Sequence, residues 1–275
     1  MSTSVQSPAS ETPAQTLLNS YVGFDTITQQ IEKKLLKRGF QFNVMVVAIL
    51  ENGVRLRLNI VDTPGYGDQV NNENCWEPII KYIKDQHSAY LRKELTARRE
   101  RYIVDTRVHC CLFFITPSGH ALKPIDIVVL KKLSEVVNVV PVIAKSDSLT
   151  PEERDAFKQR IKSELDFHQI RLYPYESEED DEQERALNES IWDLIPFAVV
   201  GSERDVVVDG RAVRGRKTRF GVINVENEDH CEFIHLRNFL TRTHLQDLVE
   251  TTAMIHYETF RAKQLMAIKE SAQTQ

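Results

Sequence analysis

The chain is predicted to fold as an α/β protein with a doubly wound, mostly parallel sheet. Strand-like apolar runs alternate with longer polar or helical stretches, which is the pattern of successive βα units. The strand-like runs are Phe42–Leu50, Val54–Val61, Val108–Ile115, Val136–Ile143 and Ile195–Val200. The 275 residues are 41% hydrophobic, which is enough to bury a sizeable core. No apolar run approaches the roughly 18 residues that a membrane span requires.

The composition narrows the classes of function. Lys and Arg number 35 against 40 Asp and Glu, and the resulting net charge of −5 argues against nucleic acid as the main partner. The four cysteines form no C-x-x-C pair, and residues 1–20 lack the apolar stretch of a signal peptide. We therefore expect a cytoplasmic protein from a reducing compartment.

The N-terminal part of the chain contains two predicted segments. Residues 1–20 are rich in Ser, Thr, Gln and Pro, which predicts a disordered tail. Residues 21–41 contain an amphipathic helix, because Ile27, Ile31 and Leu35 recur at intervals of four. The end of this helix carries a basic cluster of Lys33, Lys34, Lys37 and Arg38. The cluster is either a solvated helix end favoured by the helix dipole or a patch for anionic lipids.

Further helices and one hairpin are predicted along the rest of the chain. The helices are Trp76–Glu100, Ile125–Val137, Pro151–Leu165 and His235–Lys269. The acidic segment Glu176–Glu184 predicts a surface loop or an exposed helix, and Asp209-Gly210 between valines is typical of a hairpin turn. The last helix does not sustain the heptads of a coiled coil.

The first motif with chemical meaning follows the strand-like run Val54–Val61. It is Asp62-Thr63-Pro64-Gly65. In a guanine-nucleotide switch protein, a carboxylate at this point orients the Mg²⁺ shell and the glycine N–H senses the γ-phosphate. An ordinary turn uses the same residues, because Pro and Gly are common turn formers. This motif alone leaves both interpretations open.

A second motif follows the buried run that ends at Ile143. The run continues into Ala144-Lys145-Ser146-Asp147, and Thr150-Pro151 then opens a helix. An Asp carboxylate can accept N1–H and N2–H of guanine, and the aliphatic part of a lysine can lie along the base. Alone, these residues also fit an ordinary helix entry. After Asp-Thr-Pro-Gly, in this order and at this spacing, they predict a guanine site.

The glycines exclude the phosphate-binding half of such a site. A phosphate-binding loop has the pattern G-x-x-x-x-G-K-[ST], in which small glycines let backbone N–H groups surround the phosphates. None of the 10 glycines opens such a match. The nearest approach runs from Gly210 to Thr218 and is one residue out of register.

Together these motifs resemble the septin family. The resemblance covers roughly residues 21–268 and rests on Tyr21–Asp25, Asp62–Asp68, Asn74–Ile79, Phe113–His120, Ala144–Asp147 and His244–Leu248. It implies a P-loop-GTPase-like sheet over residues 42–200, a septin-specific C-terminal element over 201–268 and a tail over 269–275. Without a coiled coil, the chain is similar to the short-tailed fungal septins that lie centrally in hetero-oligomeric rods.

The resemblance also implies a guanine-nucleotide site. Lys145, Ser146 and Asp147 fall in the guanine-reading motif, and Gly65 corresponds to the phosphate sensor. Asp62 corresponds to a residue that contacts Mg²⁺ through its water shell.

Four more residues take a role from the resemblance. Gly201 corresponds to a backbone contact to the base, and Arg216 to an arginine that packs on the base. His120 and Glu153 correspond to residues that reach across the nucleotide-facing dimer interface. From the residues alone, Arg216, His120 and Glu153 fit a hairpin arginine, a surface histidine and a helix-start glutamate.

The chain departs from the septin pattern between Val47 and Val54. Six residues, Ala48 to Gly53, stand where a septin has a P-loop, a helix and switch I, and a βαβ unit needs about 30 residues. One core βα unit is therefore predicted to be deleted, with its phosphate lysine, its Mg²⁺-binding Ser/Thr and the switch I Thr. A skipped exon or a mistaken gene model is favoured over a natural functional variant.

The same junction affects the sheet. Asn52-Gly53 is a two-residue hairpin signal, which makes its flanking segments antiparallel. The first core strand of a GTPase is parallel to its neighbours and needs a crossover. We therefore expect Phe42–Glu51 to fill either the central slot or the antiparallel edge slot, leaving the other empty or badly filled.

The resemblance implies a septin filament subunit in ring assembly, cytokinesis and scaffolding. It implies other septins as partners, GTP or GDP with Mg²⁺ as cofactors, and a location at the division site or cell cortex. Septins are slow GTPases, and Tyr66 stands where a fast GTPase has a water-orienting Gln, so no catalytic residue is assigned. Without a P-loop, GTP binding and hydrolysis are expected to be lost or impaired. The alternatives are an active GTP-hydrolysing switch and a nucleotide-independent septin-interaction module.

Overall fold

The computed structural model describes residues 42–45, 48–51, 54–63, 72–96, 103–175, 182–208, 210–219 and 221–273. The predicted tail 1–20, the basic helix within 21–41 with its cluster of Lys33, Lys34, Lys37 and Arg38, and Gly65 lie outside these residues. For the described residues between 42 and 57 the structure gives the strands and their pairing.

The strands occupy the following positions along the chain. They are β1 Phe42–Met45, β2 Ala48–Glu51, β3 Val54–Arg57, β4 Ile60–Asp62, β5 Cys111–Ile115, β6 Val139–Ile143, β7 Phe197–Ala198, β8 Asp205–Val208, β9 Arg211–Thr218 and β10 Gly221–Asn224. The α-helices are α1 Glu77–Leu95, α2 Pro124–Ser134, α3 Pro151–Phe167, α4 Glu182–Leu194, α5 Phe233–Asn238, α6 Leu245–Thr251 and α7 Glu258–Gln273. No described helix is long and apolar enough to cross a membrane.

The central sheet has five strands in the order β4-β1-β5-β6-β7. Strands β5, β6 and β7 run parallel to one another, and β1 runs antiparallel to both β4 and β5. Strand β4 therefore points the same way as β5, β6 and β7. The C-terminal ends of these strands share one side of the sheet, called here the carboxyl edge.

The described strands between Phe42 and Asp62 pair as the two arms of one hairpin. The pairs of β1 with β4 and of β2 with β3 keep a single register, as in Met45 opposite Ile60 and Ala48 opposite Arg57. Glu51 lies opposite Val54, so the strands on either side of Asn52-Gly53 are antiparallel, as this dipeptide predicts. The prediction of one strand over Phe42–Leu50 is wrong, because β1 joins the central sheet while β2 pairs with β3 in a separate two-stranded sheet.

The first arm of this hairpin, β1, takes the central position of the sheet but runs in the direction opposite to that of a GTPase first strand. Strand β1 lies between β4 and β5, with Phe42 opposite Phe113, and runs against both neighbours. Among the described strands of the central sheet, none lies beyond β4. The expectation that only one slot can be filled is therefore confirmed, because a two-residue turn brings the chain straight back alongside itself.

Strands β5, β6 and β7 of the central sheet are buried on both faces, as in a doubly wound fold. On β5, Phe113 and Ile115 pack with apolar residues of α1, α2 and α3, while Leu112 packs with residues of α4, α5 and α6. Strand β6 is buried along its whole length. The predicted α/β class is thus confirmed, with β8, β9 and β10 as a separate antiparallel sheet.

Several predicted boundaries are corrected by the structure. The helix predicted over Trp76–Glu100 ends at Leu95 among the described residues, and the strand predicted over Val136–Ile143 begins at Val139. The acidic segment enters α4 at Glu182. The Gly210–Thr218 stretch that approaches a P-loop pattern lies in a hairpin and its strand β9, with Val208 opposite Arg211.

The single helix predicted over His235–Lys269 is wrong. The segment is α5, a π-helical turn over Phe239–Thr243, a break at His244, α6, a second π-helical turn over Thr252–Tyr257, and α7. The side chain of Thr252 donates to the Leu248 carbonyl at 2.7 Å. Thr252 is the first residue of the second π-helical turn.

One buried amide anchors this segment to the sheet. The side-chain nitrogen of Asn138, directly before β6, lies 2.9 Å from the His109 carbonyl, 3.1 Å from the Leu248 carbonyl and 3.1 Å from the Thr252 hydroxyl. Its Oδ1 lies 3.0 Å from Nε2 of His256. Asn138 is fully buried, so this network replaces all of its contacts with water.

Two buried histidines make the stability of this region dependent on pH. Burial lowers the pKa of His87 to about 4, and burial together with nearby His87 lowers the pKa of His256 to about 4. Below pH 6.5 the unfolded chain takes up these protons more readily than the folded chain. The free energy of unfolding should therefore fall by roughly 1–2 kcal/mol per histidine between pH 7 and pH 5. Urea unfolding at several pH values measures this slope.

The variant His87→Phe tests the assignment. It keeps a ring against Tyr257 and Phe260, whose centroids lie 5.8 and 5.5 Å from that of His87, and it removes the titrating group. In His87→Phe the free energy of unfolding should fall less between pH 7 and pH 5, by the contribution of one histidine. The control is His120→Gln, at an exposed position, which should leave this pH dependence unchanged. An unchanged slope in His87→Phe would contradict the assignment.

Candidate functional site

The carboxyl edge gathers segments from four strands. Asp62 ends β4, the loop after β5 leads to His120, the loop after β6 holds Lys145–Asp147, and Gly201 follows β7. Crevices at the carboxyl ends of parallel strands are the usual ligand sites of doubly wound sheets. The topology thus brings the residues predicted for base recognition to one edge.

The loop after β6 is held in a tight turn. Lys145 has a left-handed backbone, with φ 50° and ψ 46°, and opens a 3₁₀ turn over Ser146–Ser148. The Ser146 amide donates to the Val199 carbonyl at 3.1 Å, which ties this turn to the segment just before Gly201. Ser146 is 2% exposed, whereas Lys145 is exposed. Ser146 therefore contributes a buried anchor, and the neighbouring Lys145 and Asp147 carry the groups that can reach a base.

The carboxylate of Asp147 is engaged by Arg216 of β9. Nε of Arg216 donates to Oδ2 of Asp147 at 2.9 Å, and Nη2 donates to Oδ1. The Asp147 side chain is 7% exposed and the Arg216 side chain 36% exposed. The predicted guanine-reading acid and the predicted base-packing arginine thus meet in a two-pronged ion pair.

Strand β9 approaches the site closely because of a glycine. A Cβ on Gly215 would lie 2.2 Å from the Ile223 carbonyl oxygen and 2.7 Å from a methyl of Val206. The Ser202 hydroxyl also donates to the Gly215 carbonyl at 2.5 Å. These contacts fix the backbone of Arg216 beside the end of β7.

A buried ion pair holds the end of β7 itself. Glu232, just before α5, accepts from Nζ of Lys158 at 2.5 Å and from the Ala198 amide at 2.6 Å, while its own amide donates to the Ala198 carbonyl at 2.7 Å. Nζ of Lys158 also donates to the Leu194 carbonyl at 2.8 Å. Burial lowers the pKa of Lys158, and Glu232 opposes this shift. This network positions Gly201 through the strand that precedes it.

The two residues predicted to act across an interface are both exposed. The amide of His120 donates to the Ser118 hydroxyl at 3.3 Å, and the preceding Gly119 carbonyl accepts from Arg160 of α3 at 2.7 Å. Glu153 forms the capping box of α3, accepting from the Thr150 amide at 2.9 Å. The side chain of Glu153 therefore already stabilises a helix start, as the residues alone suggested.

Asp62 lies at the carboxyl edge as the last residue of β4 and is exposed. Desolvation raises the pKa of its carboxyl, opposed by a hydrogen bond from the Thr63 backbone. The position fits the one that the resemblance gives to the Mg²⁺-shell residue.

A cleft of about 470 Å³ lies beside Asp147, between its loop and the β9–β10 hairpin. Its lining includes Ser146, Asp147, Arg154, Arg219, Asp229 and His230. The last four were not predicted from sequence, because no motif marks them and they come from three separate segments. Gly215 could have been found, since a glycine within a strand often marks a close backbone approach.

Comparisons with known proteins show which family the chain resembles. A family model described as septin matches residues 8–274. The chain is 57% identical to septin homolog spn2 of Schizosaccharomyces pombe, covering 95% of this chain and 92% of that protein. It is 53% identical to cell division control protein 10 of Candida albicans, covering 98% of this chain and 87% of that protein.

Solved structures also resemble this one. The crystal structure of Cdc11 from Saccharomyces cerevisiae is 30% identical with a TM-score of 0.54, over 79% of this chain and 88% of that chain. The septin GTPase domain of Chlamydomonas reinhardtii shares the fold at 23% identity with a TM-score of 0.62, over 86% of this chain and 84% of that chain.

The alignments also show that these relatives carry residues that this chain lacks. The alignment to the S. pombe protein spans 305 positions, but 95% of 275 residues is about 261, so about 44 positions face no residue here. For the C. albicans protein, 312 positions stand against about 270 residues, a difference of about 42.

Replacing Gly215 by alanine should loosen the site. The added methyl group meets the Ile223 backbone, so β9 must shift and carry Arg216 away from Asp147. We expect Gly215→Ala to lower the free energy of unfolding by about 1–3 kcal/mol. Chemical denaturation measures this loss.

The matched control is Gly201→Ala, where an added Cβ has no heavy atom within 4 Å. It should change stability by less than about 0.5 kcal/mol. Equal effects of the two substitutions would show that the close approach at Gly215 is unimportant.

Proposed function

This chain belongs to the septin family, and on that premise we propose that it is a septin subunit with half of a guanine-nucleotide site. It retains the base-reading half and lacks the phosphate-binding half. As a septin, it is a filament subunit with a role in cytokinesis. The observation that carries the proposal is the contrast between β6, which delivers Asp147 to the carboxyl edge, and β1, which runs the other way.

The direction of β1 supports the loss of the phosphate-binding half. A P-loop follows the C-terminal end of a strand and delivers backbone N–H groups to the edge where the base loops lie. Strand β1 starts at the carboxyl edge and ends at Met45 on the opposite side. A loop that follows β1 therefore leaves from the wrong edge for a phosphate.

The gap in the alignments supports the same conclusion. The relatives carry about 42 to 44 positions without a counterpart here, and a βα unit with its loops needs at least about 30 residues. We assign this gap to the junction between Val47 and Val54, where the resemblance lacks the P-loop, the following helix and switch I.

The site residues that this chain keeps can recognise a guanine base but cannot bind its phosphates. Lys145, Asp147 and Gly201 form the base-reading half, Ser146 anchors its loop, and Arg216 lies beside them on β9. Asp62 is retained for the Mg²⁺ shell, but the phosphate groups that would share the metal have no binding loop. We therefore assign no catalytic residue and no resident Mg²⁺ to this chain.

The partners of the chain are other septins, with which septins assemble, and His120 and Glu153 are proposed to contact the ligand of a neighbouring subunit. The basic cluster Lys33, Lys34, Lys37 and Arg38 is proposed to bind anionic lipids, and no role in nucleic-acid binding is proposed. The chain would then act in the cytoplasm, at the septin ring of the division site or at the cell cortex.

A series of ligands tests the half-site. Guanosine, GMP, GDP and GTP should bind with similar weak affinity and without dependence on Mg²⁺, because only the base is recognised. Isothermal titration with the purified chain measures each Kd. Micromolar GTP binding that requires Mg²⁺ would contradict the proposal and favour an active switch, whereas assembly with septins independent of any nucleotide would favour a pure interaction module.

Inserting the missing segment tests whether the phosphate-binding residues were lost at the junction between Val47 and Val54. The residues of the S. pombe relative that have no counterpart here, inserted between Val47 and Ala48, should confer Mg²⁺-dependent GTP binding. A Gly/Ser insertion of equal length is the control and should confer none. Failure of a folded chimera to bind GTP would place the defect elsewhere.

The basic cluster has its own test. The affinity for vesicles that contain phosphatidylserine, measured by co-sedimentation, should fall by up to roughly a thousand-fold when all four residues are replaced by alanine, because each charge contributes roughly 1 kcal/mol. Neutral phosphatidylcholine vesicles are the control. Unchanged binding would contradict a lipid role and favour the solvated helix end.

A further inference from the structure

The strongest unexplained contact of the candidate site is the ion pair between Arg216 and Asp147. It joins residues 69 positions apart and engages both oxygens of the carboxylate. It also leaves the Asp147 side chain only 7% exposed. Arg216 therefore holds both of the carboxylate oxygens that a guanine base would need.

The chemistry of the pair resembles that of the expected ligand. Guanine presents two neighbouring N–H donors, N1–H and N2–H, to a carboxylate. A guanidinium group presents two parallel N–H donors in the same plane. The two groups therefore compete for the same oxygens of Asp147.

We infer that Arg216 is a gate which occupies the guanine-binding carboxylate when the base is absent. This inference rests on the proposed base-reading role of Asp147. Guanine then binds only to the fraction of molecules in which Arg216 has swung away, and the observed affinity is reduced by that fraction.

The structure around Arg216 suits a gate. Its backbone is held by the close packing of Gly215 on Ile223 and by the Ser202 hydrogen bond. Its side chain is 36% exposed, so the guanidinium can rotate into solvent without moving β9. The open state therefore requires a change of side-chain rotamer and leaves the strand in place.

The gate differs from the role that the septin resemblance gives to this residue. If Arg216 packs on the base, its removal weakens binding. If Arg216 occupies Asp147, its removal strengthens binding. The sign of one measurement separates the two roles.

The experiment compares Arg216→Ala with the unmodified chain by isothermal titration with guanosine, which needs no phosphate contacts. The variant should bind guanosine roughly ten-fold more tightly, and adenosine should not gain. Adding Asp147→Asn to this variant should abolish the gain. Arg214→Ala is the matched control, since Arg214 lies on the same strand, half exposed, and pairs with Asp205 at 3.4 Å.

Arg216→Gln provides a second variant of similar length if Arg216→Ala does not melt cooperatively. Equal or weaker guanosine binding in a folded variant would overturn the gate, as would its failure to bind guanosine at all. Assembly with other septins, measured separately by co-purification, reports on the proposed septin role, so loss of the gate alone leaves that role intact.

Discussion

The direction in which each strand crosses the central sheet governs the rest of the site. Neighbouring parallel strands need a crossover between them, and β5, β6 and β7 keep theirs in the form of helices. Their C-terminal ends therefore present loops at one edge. The first strand, β1, belongs to a hairpin and has no helical crossover after it, so it runs antiparallel to β4 and β5, and its C-terminal end lies on the side opposite the carboxyl edge. The length of one connection thus decides which half of a nucleotide site the chain can build.

The half that remains is held by buried polar contacts. Strand β7 has only two residues, yet Glu232 and Lys158 fix its end from two other parts of the chain. Burying such a pair costs desolvation free energy, which the hydrogen bonds from the Ala198 amide and to the Leu194 carbonyl offset. Removal of either partner would leave a buried charge, so the segment leading to Gly201 has little freedom to move.

Local features of the fold could be predicted from the sequence, and contacts between distant segments could not. The turn at Asn52-Gly53 and the helix start at Thr150 depend on neighbouring residues, and both were correct. The order and spacing of the motifs located Asp147 at a strand end. In contrast, nothing local indicates that Arg216 meets Asp147, and the break at His244 depends on packing with other segments. The sequence predicts that Phe42–Glu51 fills either the central or the edge position of the sheet, and the structure shows that β1 occupies the central one.

Strand β6 has a mechanical role that follows from its burial. One end carries the turn with Asp147, and the other begins beside Asn138, which holds the C-terminal helical segment through Leu248 and Thr252. The five residues of β6 are all buried and extended, and they span about 16 Å. The turn that carries Asp147 and the helical segment around Leu248 and Thr252 are therefore attached to opposite ends of the same buried strand. A displacement of that helical segment along β6 would therefore reach the turn that carries Asp147 without any change in the nucleotide site itself.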